Sequence, residues 1–446
     1  MKIDKQVLSF LLLPLTILIL GPFFFMLLNK GDFYVGMAVS IATVLTITFL
    51  KNSNELSPLV VLFLIYSYLN NVIGPLIINL NSDTQLFNST GYISSESLYL
   101  MPVLYIVQVF VFIFFHRFLA FQPNWNSNVP LYLIELINLI LIGSLFVISL
   151  SIVISMPASI QYISYGFNKY ISFAPFFLGL YYDKIPKKRL LLFVLLYIPS
   201  LILLSLVNAR GYAIFPLISF ILGYLLYSKS AFKYKKRIII FSVFILPLYF
   251  VVSNIGRLGD EYIGAGQLNN EVRLNNIALL FSGDLDISIG EAIQYSMTDR
   301  IFPMGGYTIL HKTPLEVPFR DFNLWEYLGV GVTEADKYKL IDYGFHITDS
   351  HSIGITLFGD LWMYDGWFSV MVGLICFGLF VYLNLTVITR INSSNVILSY
   401  ILLICQLHIF FYAQGKSLPN FVSSILTSYV IAFILYNILK FRPNLK

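Results

Sequence analysis

The sequence predicts an all-α polytopic membrane protein, and three observations predict it. Hydrophobic residues make up 58% of the chain and charged residues only 11%. Soluble domains carry about 25% charge, so a chain this poor in charge cannot cover a surface facing water. Apolar runs close to the roughly 20 residues of a bilayer-spanning helix recur from one end to the other. Those runs, SFLLLPLTILILGPFFFMLL (9–28) among them, lack the alternation of membrane β-strands.

About 12 spans are expected, at 7–28, 34–50, 58–80, 98–118, 131–155, 168–183, 190–207, 212–228, 238–254, 366–389, 395–412 and 419–440. The first is too long for the apolar region of a secretory signal and has no small-residue cleavage site, so it reads as a retained span. Lysine and arginine in short loops stay cytoplasmic. The basic loops are MKIDK, KIPKKR (184–189), KSAFKYKKR (229–237) and the tail KFRPNLK. This span count puts all four on one side, together with Lys51, Arg117 and Arg390. Both termini are then expected in the cytoplasm. Three regions follow: a bundle of about nine spans over 1–254, a large external loop over 255–365, and a bundle of about three spans over 366–446.

The loop is charged, contains glycine, and carries helix-like stretches such as EVRLNNIALLFSG and SIGEAIQYSM. Structureless loops of this length are uncommon in compact proteins, so it is expected to form a small subdomain. Nothing repeats at a fixed period, and no inverted-repeat hydropathy suggests a transporter. The two cysteines, Cys376 and Cys405, fall in apolar runs and read as buried thiols rather than a disulfide. The net charge of +5 resides mostly in cytoplasmic-loop residues and gives no ground for a nucleic-acid partner.

Arginine on the external side runs against the positive-inside bias. Arg210, Arg257, Arg273, Arg300 and Arg320 all fall there. Arg210, in LVNARGYAIFPL, occupies a polar break between two apolar runs, too short to reach far into water. An ionisable group at membrane depth is a functional candidate; a snorkelling arginine is the structural alternative, and Gly211 beside it permits a tight turn. Arg257 in SNIGRLGDEY could pair with Asp260 or Glu261, and Asp299 could neutralise Arg300. Together with Arg273, these residues suit a planar polyanion such as a lipid pyrophosphate, because the guanidinium binds phosphate through a rigid fork of donors.

His351 falls where the external loop meets an apolar run. Histidine is the side chain suited to take a proton near neutral pH. Asp349 or Asp360 could orient its ring; a purely structural interface histidine is the alternative. His311, His346, His116 and His408 lack comparable context, and no histidine–cysteine cluster suggests a transition-metal site. Asp284 and Asp286 could hold a divalent cation or simply occupy a turn. Tyr307, Trp325, Tyr327, Tyr343 and Trp362 could stack on sugar rings or form an interfacial aromatic belt.

The stretch GITLFGDLWMYDGW (354–367) is apolar but broken by glycine and aspartate. Two forms fit it: a re-entrant or interfacial half-helix shielded by neighbouring spans, or one long tilted helix starting near 352.

With these features in order, the sequence resembles the Wzy-type polymerases of O-antigen and related bacterial surface polysaccharides. The shared features are the many spans, the arginine in NARGY, the large late external loop, and a His-Ser leading into HSIGITLFGDLWMYDGWFSVMVGLICFG. Motif content covers roughly 190–390 and is moderate in specificity. The resemblance implies a GT-C-like helical fold in the bacterial inner membrane, with the loop and active site in the periplasm. It implies undecaprenyl-pyrophosphate-linked repeat units as donor and acceptor, no metal and no cofactor, and it admits a chain-length regulator as partner. In the related O-antigen ligases, arginines bind the pyrophosphate and a histidine late in the loop is the candidate base. Arg210 and His351 match those features by motif; Arg257, Arg273 and Arg300 match only by lying in the same loop.

Overall fold

A computed structural model of the chain describes residues 14–23, 33–51, 58–73, 95–119, 173–182, 219–224, 324–327, 356–413 and 417–440, with parts of 138–150 and 185–199 and single positions 26, 157 and 282. Among them secondary structure is helical and contains no strand. The principal helices are α1 (Pro14–Phe23), α2 (Phe33–Lys51), α3 (Pro58–Tyr68), α4 (Ser95–Leu119), α5 (Phe173–Leu180), α6 (Leu357–Ser394), α7 (Val396–Ala413) and α8 (Leu418–Lys440). Each falls where the sequence places an apolar span. The span expected at 238–254 lies outside the described residues.

Two stretches, Tyr99–His116 and Leu357–Ser394, are helices long and apolar enough to cross a membrane. The exposed face of α6 fits that use. Phe368, Val372, Ile375, Leu379, Leu383 and Val387 recur every three or four residues, and all are exposed. Val370, Leu374, Phe377, Val381 and Leu385 form the opposite, buried face. A continuous apolar stripe on the outside is a liability in water and the ordinary surface in lipid.

The chain divides into two compact units. The first comprises Met1–Pro123, Ile301–Thr386 and Ile409–Thr427. Its core is aromatic: Phe63 of α3 stacks on Phe410 of α7 at 4.6 Å, and Phe112 of α4 lies 5.3 Å from Phe63. Phe377 of α6 meets Phe63, Phe410 and Phe421 at 5.7, 6.1 and 5.9 Å. Polar groups between the helices find partners across them. Thr46 and Tyr105 share a hydrogen bond of 2.7 Å, Thr43 and Tyr68 one of 2.9 Å, and the Tyr382 hydroxyl donates to the Phe112 carbonyl at 2.9 Å. Gly378 brings α6 against α4; a Cβ there would come within 2.7 Å of Val111.

After Tyr68, α3 widens into a π-turn, Leu69–Ile73, in which Asn70 and Asn71 are buried. Their amides, and that of buried Gln108 on α4, have no hydrogen-bond partner among the described residues.

The second unit comprises Asn124–Arg300, Val387–His408 and Ser428–Lys446. Here the connection between α6 and α7 is a single residue, Asn395, whose Oδ1 accepts from the Leu398 N–H at 3.2 Å. That is an N-cap bond to the third residue of the new helix. The Asn395 Nδ2 donates to Tyr436 at 2.6 Å, which ties the turn to α8. Gly179 of α5 and Gly223 of a helical piece at 219–224 pack reciprocally. A Cβ on either would strike the partner's backbone, at Phe220 and Tyr224 or at Phe176 and Leu180. Small residues at a helix crossing let backbones approach this closely.

Cys405 is buried, as its apolar run suggests, and its Sγ lies 3.4 Å from the Ser428 carbonyl oxygen. Cys376 differs from expectation, for it is exposed on α6. An apolar run gives depth, not the face on which a residue falls.

Candidate functional site

The loop-to-helix junction at 356–378 is where the sequence places its chemistry and where described residues can be built upward. Thr356 starts the helix: its Oγ1 accepts from the Gly359 N–H at 3.1 Å, and its carbonyl accepts from the Asp360 N–H at 3.0 Å. The first bond satisfies one of the donors that a helix start leaves without an intrahelical partner.

Nine residues on, regular geometry breaks at Asp365 (φ −159°, ψ 44°) and Gly366 (φ 52°, ψ −132°). The Gly366 values belong to the first central residue of a type II′ turn, a conformation dominated by glycine. Contacts on either side show that the chain reverses there. Phe358 and Phe377 have ring centroids 6.2 Å apart, whereas a straight helix would separate the two residues by about 28 Å. The Leu361 side chain packs directly on Gly373, and a Cβ at Gly373 would lie 3.3 Å from its Cγ. Trp362 and Trp367 meet edge to face at 5.8 Å across the turn. Residues 357–364 therefore form a short arm folded back along the helix that follows. A single long straight helix through this stretch is excluded by the same contacts.

Asp360 lies on that arm and is fully buried. Its Oδ2 accepts from the Leu418 N–H at 2.6 Å. Leu418 is the first residue of α8, and Pro419 next to it has no N–H to leave unsatisfied in the first turn. A carboxylate here answers both the free donors and the positive end of the helix dipole. The sequence suggested Asp360 as a partner for His351, which lies outside the described residues; the Leu418 amide, far along the chain, is a partner the sequence did not suggest.

His351, Asp349, Arg210, Arg257, Arg273, Arg300 and Tyr307 lie outside the described residues, as do Asp284, Asp286, Arg320, His311, His346 and Tyr343. Of the aromatic candidates, Trp325 is 64% exposed, whereas Trp362 is 7% exposed and covered by Trp367. The Tyr327 and Tyr364 hydroxyls lie 3.5 Å apart. Sequence reasoning missed Thr356 and Leu418. A threonine directly before an apolar helical run was a readable cap signal, but nothing local marks the Leu418 amide.

Comparison with protein-family models, with curated proteins and with solved structures finds no match to this chain. The fold and the junction together define a helical protein with two helices suited to a membrane, carrying a buried carboxylate on a folded-back arm.

Proposed function

We propose that the chain is a glycosyltransferase of the bacterial inner membrane that joins undecaprenyl-pyrophosphate-linked oligosaccharide repeat units into O-antigen or a related surface polysaccharide. In this reading it has about 12 spans, a GT-C-like arrangement, both termini in the cytoplasm, and the 255–365 loop in the periplasm. The arm at 357–364 is then re-entrant, which agrees with the rule that irregular backbone at membrane depth must be covered by protein.

The observation that carries the reading is the placement of His351 directly before this arm, in a loop supplied with arginines on the side where they are disfavoured. An acceptor hydroxyl attacks the anomeric carbon of the donor while undecaprenyl pyrophosphate departs. Neutral His351 takes the hydroxyl proton as the bond forms. Arg210, with Arg257, Arg273 and Arg300, offsets the charge growing on the leaving phosphate. Attack by one displacement inverts the anomeric centre.

A transport protein is the reading from another class. A flippase is expected to carry ionisable groups along several spans. The buried amides of Asn70, Asn71 and Gln108 are polar but uncharged, and few ionisable residues fall within the expected spans, which favours surface chemistry. His351→Ala and Arg210→Ala, each expressed at the normal level, should leave cells with single-repeat surface glycan. Long chains in both variants would defeat the site assignment.

A further inference from the structure

Several contacts hold the short arm. Thr356 caps its start, Phe358 and Leu361 lay it against the part of α6 that follows the turn, and Asp360 fastens it to the beginning of α8. The first two contacts are local or apolar. The third is a charged hydrogen bond between residues distant in sequence, part-buried, with the Asp360 side chain itself fully buried. Hydrogen bonds of this kind are among the strongest in proteins, and their loss leaves a half-buried donor unmet.

His351 lies five positions before Thr356, a length of chain that reaches at most about 17 Å. Wherever the arm sits, His351 is tethered to it. We propose that Asp360 is a positioning residue: by binding the Leu418 N–H it fixes the arm against α8 and so sets where His351 is presented. This inference rests on the polymerase reading for its catalytic consequence and on the Asp360–Leu418 geometry for its structural part. It gives Asp360 a task distinct from orienting the imidazole ring, since the carboxylate acts on the backbone that precedes the reacting groups.

The test separates arm position from activity. In a chain carrying Cys376→Ser and Cys405→Ala, cysteines are introduced as Leu361→Cys and Gly373→Cys, since a Cβ at position 373 would meet the Leu361 side chain across the hairpin. Oxidative cross-linking in membranes then reports how often the arm lies on α6, and surface-glycan length reports activity. Adding Asp360→Ala should lower the cross-linking rate and the long-chain fraction together, each by about tenfold for a lost charged hydrogen bond. Asp360→Asn, which keeps the shape and one acceptor oxygen, should fall between. Oxidation that drives the disulfide to completion should restore long chains to the Asp360→Ala protein. A residue that merely stabilised α8 would gain nothing from a lock placed between the arm and α6.

Unchanged cross-linking with lost activity, or lost cross-linking with unchanged activity, overturns the proposal. So does failure of the disulfide to restore long chains. If His351→Ala itself leaves chain length intact, the polymerase site reading fails, and the cross-linking comparison alone decides whether Asp360 sets the arm.

Discussion

Gly366 offers the sharpest test of the chain reversal. At φ 52° and ψ −132° its backbone occupies a region that L-residues enter only under strain, at a cost of about 1–3 kcal/mol. Gly366→Ala should therefore lose that much stability, a factor of about 5–150 in the relevant equilibrium. Gly143 supplies the control. It is helical, and a Cβ there would meet nothing within 4 Å. Gly143→Ala should be neutral or stabilising, since glycine in a helix costs about 0.5–1 kcal/mol relative to alanine. The two substitutions add the same methyl group and should move stability in opposite directions. Thermal unfolding in detergent, followed by a thiol-reactive dye in a Cys376→Ser background, would read this through exposure of buried Cys405. An unchanged midpoint for Gly366→Ala would refute the account of how the arm turns back.

Two further outcomes follow from packing. Gly223→Ala places a methyl group against the Phe176 carbonyl and the Leu180 amide, backbone that cannot step aside as a side-chain end can. It should cost about 1–3 kcal/mol or more, seen as reduced yield of folded protein and a lower midpoint; an unaffected protein would show that the crossing is looser than described. Gln108→Leu should do the reverse. It removes a buried amide without a partner among the described residues, and leaving such a group unsatisfied costs about 1–3 kcal/mol, so the midpoint should rise. A fall would show that the amide is engaged in the folded protein.

The helices were largely legible because long apolar runs simplify the code. An apolar run of spanning length has few other uses, and α2, α4, α7 and α8 begin and end close to where hydropathy alone puts them. The break in α6 was also marked, by aspartate and glycine side by side at 365 and 366. What those residues did was not marked, because the choice between a bend and a reversal depends on Leu361 finding Gly373 and Phe358 finding Phe377. Asp360 makes the point most clearly. Its neighbours in sequence gave no sign of the bond to Leu418, a backbone amide with no side-chain signature. The π-turn at Leu69–Ile73 was equally hidden, since consecutive asparagines in an apolar run give polarity but not backbone pitch.

The central claim concerns what the protein makes, and the pattern of surface glycan from cells lacking the gene tests it most directly. Electrophoresis of lipopolysaccharide or of the corresponding surface polymer would separate the possibilities in one gel. Loss of the ladder of long chains, with a single repeat still attached to its acceptor, is the result the polymerase account predicts. A persisting ladder would contradict it, and disappearance of every attached repeat would assign the protein to ligation or lipid-linked transport instead.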